Sequence, residues 1–230
     1  MVLKCKLFVA ASIAALGITT SSVAQVYPED LLKYSKNYFE MGVKAGADFQ
    51  QISAYPLAPD YKAGGTGGVY VKRRVGYFGI QAELTASTAK YTTQFPVAHN
   101  FVLSNTHYED SATKGVFNAL WLNIPVLLEV RPGEHFAFQF GGQYSYLLNF
   151  KDQNTAFAGR YKTDQILNKS NISIVTGFEL DIYKDLKLGA RYAVGVSDLN
   201  AGKFTPLNDK WYLNSGQVFF IYRLDKWRQR

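Results

Sequence analysis

The sequence predicts an all-β protein: an eight-stranded antiparallel transmembrane β-barrel with short periplasmic turns and long extracellular loops. Three observations lead there. Apolar residues alternate with polar ones or glycine over segments of about eleven residues. A period of two is a strand signal, because successive side chains point to opposite faces. Strands of soluble proteins usually run to about five or six residues, whereas a tilted strand crossing a bilayer needs about nine to eleven. The connections between these segments are alternately long and short, the asymmetry expected of outer-membrane barrels. Beyond the first residues no apolar stretch is long enough for a transmembrane helix, so a membrane crossing must be by strands closed into a barrel.

Residues 1–24 read as a signal peptide. Lys4 and Lys6 make a basic start, Leu7–Ile18 an apolar core, and Ser22-Val23-Ala24 a small-x-small cleavage site that leaves Gln25 first. The alternative is a buried amphipathic helix. The only cysteine, Cys5, precedes the apolar core and is misplaced for lipid attachment, so the mature chain is expected to have no thiol or disulfide chemistry. The formal charge of +7 drops to +5 without Lys4 and Lys6, and the excess is spread along the chain. This is no nucleic-acid footprint. Roughly 205 mature residues suit one domain. Residues 25–38 are then a periplasmic N-terminal segment, 39–224 the barrel and 225–230 a C-terminal tail.

The first strand is Phe39–Phe49, with Phe39, Met41, Val43, Ala45, Ala47 and Phe49 on one face. The second, Gly67–Arg74, is weaker, setting Val69 and Val71 against Tyr70 and Lys72. The third, Tyr77–Ser87, places Phe78, Ile80, Ala82, Leu84 and Ala86 opposite Gly79, Gln81, Glu83 and Thr85. The fourth, Ala119–Val130, carries Pro125 on its polar face; a proline removes a ladder donor, so a bulge is expected nearby. Phe136–Leu148, Ile172–Tyr183 and Leu186–Val196 continue the pattern. The eighth, Ser215–Leu224, is blurred by Phe219 and Ile221 on its second face.

Alternation does not say which face points inward. A soluble lipocalin-like barrel would be apolar inside and polar outside. Long apolar faces, long loops at one end only, and glycines on the polar faces (Gly42, Gly46, Gly79, Gly141, Gly177, Gly189, Gly195) favour lipid outside. A narrow eight-stranded interior has little room.

The motifs Gly42-Val43-Lys44-Ala45-Gly46, Phe78-Gly79-Ile80-Gln81-Ala82-Glu83-Leu84, Leu122-Asn123-Ile124-Pro125-Val126-Leu127-Leu128, Phe140-Gly141-Gly142-Gln143-Tyr144 and Gly189-Ala190-Arg191-Tyr192 resemble, in order and spacing, the PorT-like outer-membrane β-barrel proteins of the Bacteroidetes. The resemblance runs from about Gly42 to Leu224. It implies an eight-stranded barrel in the outer membrane of a Gram-negative cell, one whose namesake is associated with secretion and gliding. Many outer-membrane barrels end on an aromatic residue read by the insertion machinery. Here the alternation Gly216, Val218, Phe220, Tyr222, Leu224 is followed by Asp225–Arg230, a departure from that pattern.

The expected interior is a polar layer of Lys44, Glu83, Gln143, Glu179 and Arg191, forming ion pairs across the lumen; the alternative is that each charge is separately hydrated. Catalysis finds little support. His107 with Glu109, Asp110 and Ser104 can be forced into a triad, but exposed loops are normally rich in such residues; His99 shares that long loop and His135 falls in a periplasmic turn. No cofactor or metal is expected, because no His/Cys cluster or acidic run has ligand spacing. Loop aromatics such as Tyr55, Tyr61, Tyr91, Phe95, Phe101, Tyr108, Phe157, Tyr161, Phe204, Trp211 and Tyr212 either bind a glycan or protein partner or pack on one another and the rim. The expected partners are outer-membrane lipid, the barrel-insertion machinery and an unknown extracellular or periplasmic protein, with no nucleic acid. The functional alternatives are a structural or interaction barrel with a plugged interior, a small-solute porin and, behind these, a lipid-modifying or proteolytic barrel enzyme.

Overall fold

The computed structural model describes residues 38–53, 60–92, 115–133, 135–152, 167–201 and 210–228, with side chains to Leu224. The leader, residues 25–37 and the histidines His99 and His107 lie outside the described residues. Eight strands follow one another: β1 (Tyr38–Ser53), β2 (Lys62–Val75), β3 (Phe78–Thr92), β4 (Val116–Val130), β5 (Phe136–Asp152), β6 (Ser170–Tyr183), β7 (Leu186–Gly195) and β8 (Tyr212–Arg228). Each pairs antiparallel with its neighbours in sequence, and β1 pairs with β8, so the sheet closes. Closure leaves no free edge, the condition for a sheet in lipid.

The hydrophobic alternation decides which way each strand faces. Outward stand Met41, Val43, Val69, Ile80, Leu84, Ile124, Val126, Phe140, Ile174 and Phe220, all exposed to the surroundings. Inward stand Lys44, Lys72, Glu83, Glu129, Glu179 and Arg191, all buried. A lipocalin-like barrel would have the reverse.

The short connections are as tight as the sequence suggests. Gly76 and Tyr77 close the β2–β3 hairpin, and Gly76 has a φ of 61°, where a residue without Cβ is favoured. Lys184 and Asp185 close β6–β7.

Several boundaries differ from the sequence reading. Seven of the eight strands run further toward the long-loop end: β1 to Ser53, β3 to Thr92 and β5 to Asp152. On β1, β3, β4, β5 and β8 the inward positions there turn apolar, so the polar–apolar alternation fades although the strand continues. β8 reaches Arg228 and pairs with Tyr38 through Arg228; residues 225–228 are strand rather than the tail expected after Leu224. Register shifts lie at Met41/Gly42, Leu120/Trp121 and Asp181/Tyr183. None is at Pro125. There the β3–β4 pairing is interrupted between Ala82↔Val126 and Thr85↔Asn123 and resumes in the same register. The missing donor breaks the ladder without adding a residue.

Candidate functional site: the barrel lumen

The inward side chains form three layers. The lowest, toward the short turns, is ionic. Lys44 Nζ donates to Glu83 Oε2 at 3.2 Å. Arg191 Nη2 lies 2.7 Å from Glu83 Oε1 and 3.2 Å from Glu179 Oε1. Lys72 donates to Glu179 Oε2 at 3.0 Å and also to Glu129. Arg131, just past β4, donates to Glu129 at 3.3 Å and to Asp181 at 2.5 Å. Read in order, Lys44, Glu83, Arg191, Glu179, Lys72, Glu129, Arg131 and Asp181 alternate in sign from mid-lumen to the short-turn end. Gln139 of β5 donates to Glu179 at 2.6 Å, and Gln217 of β8 accepts from Lys44 at 3.3 Å. Every strand therefore contributes a member. A second group joins Lys187 and Tyr70 to Glu40 at 2.6 and 2.7 Å, with Arg223 3.9 Å from the other Glu40 oxygen. Buried charges persist in proteins when paired and hydrogen-bonded in this way.

Glycines on the inner face create the space for this layer. A Cβ on Gly177 would stand 2.5 Å from Arg191 Cγ. One on Gly189 would stand 2.3 Å from the Phe219 ring, and one on Gly46 2.6 Å from Phe219 Cβ. The Phe219 ring, which fits over Gly189, carries the Lys44 ammonium 3.6 Å from its centroid and the Arg191 guanidinium at 4.6 Å. Cations over an aromatic face gain from its quadrupole, more so when desolvated. The residue that blurs the eighth strand's pattern is thus an inward partner of two predicted charges.

Above lies a layer of amide and hydroxyl groups around the Asp48 carboxyl. Asn123 donates to Ser87 at 2.9 Å and Gln143 to Ser145 at 3.0 Å. Gln50 donates to Asp48 at 2.8 Å and to Ser87 at 3.0 Å. Above these sits an apolar cluster of Ile52, Tyr91, Phe117, Trp121, Leu147, Leu167, Leu199, Trp211 and Leu213, with Ala89 and Ala119. Trp121, Leu199 and Trp211 are 0–1% exposed. Trp121 Nε1 donates to the Tyr91 hydroxyl, which donates to Gln50, linking this cluster to the polar layer beneath.

Of the five residues singled out from sequence, Lys44, Glu83, Glu179 and Arg191 meet in one network. Gln143 does not join it: its partners are Asn123 and Ser145, in the layer above. Sequence reasoning missed Lys72, Glu129, Arg131, Lys187 and Glu40. Lys72 and Glu129 lay on recognised polar faces, but cross-lumen height depends on register and tilt, which alternation does not carry. The apolar cluster had a readable signal: Phe117, Ala119 and Trp121 fall on the polar parity of the fourth strand. Tyr91 and Trp211, grouped from sequence with the loop aromatics, are packed inside it. Among the described residues no group of three or more His, Cys, Asp or Glu is arranged to hold a metal ion.

Comparison with known proteins sets this geometry in context. No curated protein matches the sequence at a significant level. Solved structures similar to this one include Ail of Yersinia pestis, the attachment invasion locus protein, in complex with a heparin analogue (11% identity, 82% of this chain and 99% of that one, TM-score 0.44). Neisserial surface protein A is similar at 9% identity over 81% and 97% of the chains (TM-score 0.47). OprG of Pseudomonas aeruginosa is similar at 11% over 83% and 96% (TM-score 0.39). The family model for the outer membrane protein beta-barrel domain matches residues 23–200. With its closed eight-stranded wall, apolar outside and charged inside, this chain belongs to that outer-membrane β-barrel family.

Proposed function

We propose that this integral outer-membrane barrel is closed to solutes and acts through its structure and surface, neither conducting nor catalysing. The observation that carries this is the filling of the lumen: an alternating ion-pair chain from six strands, joined by Gln139 of β5 and Gln217 of β8, below an apolar cluster containing Trp121 and Trp211. An eight-stranded barrel is narrow enough for side chains to fill it. A hydrated solute passing through would have to part buried ion pairs and then cross an apolar layer.

The order and spacing of the strand motifs support a place near the PorT-like barrels of the Bacteroidetes, with export by a signal peptide over residues 1–24. The association of that namesake with secretion belongs to the same proposal. The second reading is a small-solute porin, favoured by the many charged side chains of the lower lumen, which would resemble a channel lining if water entered it.

Planar-bilayer recording of the purified barrel separates the two. The closed reading expects no steady ohmic steps. Reproducible ohmic channels from the native chain would establish the porin reading instead.

A further inference from the structure

We propose a site for a phosphate-bearing headgroup of an outer-leaflet lipid on the outer wall of β3–β5, at the long-loop end. Lys90 of β3 pairs in register with Asn118 of β4, and Asn118 with Lys151 of β5. The three are cross-strand neighbours on the outward face. The two lysine backbones therefore stand about 10 Å apart, two strand spacings. Flexible lysine stems bring both ammonium groups to one anion. Among the described residues neither ammonium has an acidic partner. By contrast, nearby Lys62 is held by Asp60 at 3.7 Å.

The height fits a headgroup. From Phe78 at the short-turn end to Lys90, steps of about 3.3 Å along a strand tilted by about 40° climb roughly 30 Å. The apolar band of such barrels is about 25 Å tall. Lys90 thus lies just above the hydrocarbon, while Leu84, Ile124 and Leu148 below it face the acyl chains.

The wall is also indented here. The β2–β3 ladder stops at Thr66↔Ser87; above it Gly65 N–H donates to the Thr88 hydroxyl at 3.0 Å in place of a continued pairing. Ala63, Gly64, Thr88, Lys90, Asn118 and Lys151 line a groove of about 400 Å³ there. The Asn118 amide supplies a donor between the two cations, and Leu120 supplies apolar lining. Two cations, a neutral donor and an apolar floor at this depth suit a lipid phosphate with the start of its acyl chain.

The test uses the full mature barrel in detergent micelles, with diphosphoryl lipid A as probe. Each lysine near a charged membrane surface contributes about fivefold, so the double substitution K90A/K151A is expected to weaken binding roughly thirty-fold. The double substitution K90R/K151R should retain it, and Lys184→Ala, at the opposite end, should leave it unchanged. Dephosphorylated lipid A should bind wild type and K90A/K151A equally weakly. A heat-shifted gel band checks that each variant is folded. The proposal is overturned if K90A/K151A binds as wild type does, or if removing the phosphates leaves wild-type binding intact. Full competition by millimolar inorganic phosphate would also overturn it, by assigning the groove to the free anion.

Discussion

Glu179→Ala should cost this barrel about 3 kcal/mol. The carboxylate is 0% exposed. It accepts from Lys72 at 3.0 Å, Gln139 at 2.6 Å, Arg191 at 3.2 Å and Gln81 at 3.4 Å. Removing one partner of a buried ion pair typically costs about 3–5 kcal/mol, because a charge is left uncompensated. Here both cations keep a second carboxylate, Lys72 with Glu129 and Arg191 with Glu83. That places the loss at the low end of the range. Urea unfolding of the barrel in lipid vesicles reads it directly. With a slope of about 2 kcal/mol per molar, the midpoint should fall by roughly 1.5 M. Glu179→Gln keeps the volume and one acceptor, and should fall between wild type and alanine. Combined with Arg191→Met, the loss should be smaller than the sum of the two single losses, because contacting charges couple. A midpoint shift of Glu179→Ala below about 0.3 M, together with additive single losses, would show separately hydrated charges in place of a network.

Other expectations follow from the same geometry. Gly189→Val should destabilise severely or block assembly, since its Cβ would meet the Phe219 ring at 2.3 Å; adding Phe219→Ala should recover a heat-shifted band on a denaturing gel. Trp121→Ala, fully buried in the apolar cluster, should cost about 3–5 kcal/mol in urea unfolding. It should leave conductance unchanged, because the ionic layer lies beneath. Single cysteines at Thr93, Ala156 and Lys203 should label on whole cells, while Gly133 and Asp185 should label only after the outer membrane is permeabilised. Labelling of Gly133 from outside would reverse the topology.

Most of the wall was legible in the sequence because one rule governs it. An outward residue meets lipid and an inward one meets the lumen, so period two persists wherever the lumen is polar. Reading failed where the lumen ceases to be polar. At Ala119, Leu120, Trp121 and Leu122 both faces are apolar, so β4 was begun late at Ala119 and the interior cluster went unseen. The site was legible as parity only. That Lys44, Glu83 and Arg191 share the face opposite the apolar one follows from alternation, but that Arg191 reaches Glu83 and Gln143 does not depends on register. The bulge at Leu120/Trp121 alters register without a glycine or proline signal, and the one at Met41/Gly42 falls at one of many inward glycines that otherwise keep register. Phe219 blurs the pattern of β8 because its compensation, the absent side chains of Gly46 and Gly189, lies on two other strands.

The orientation of the two faces is the claim on which all else depends, and brominated lipids test it. Trp121 and Trp211 are inward and buried, whereas Val126, five residues beyond Trp121 on the same strand, is 53% exposed on the outer wall. With Trp227 replaced by Phe, the fluorescence of Trp121 and Trp211 should be nearly unaffected by bromine on the acyl chains. A tryptophan introduced by Val126→Trp should be strongly quenched. Strong quenching of the native pair with none at position 126, or recovery of the mature protein as a soluble monomer, would contradict the account.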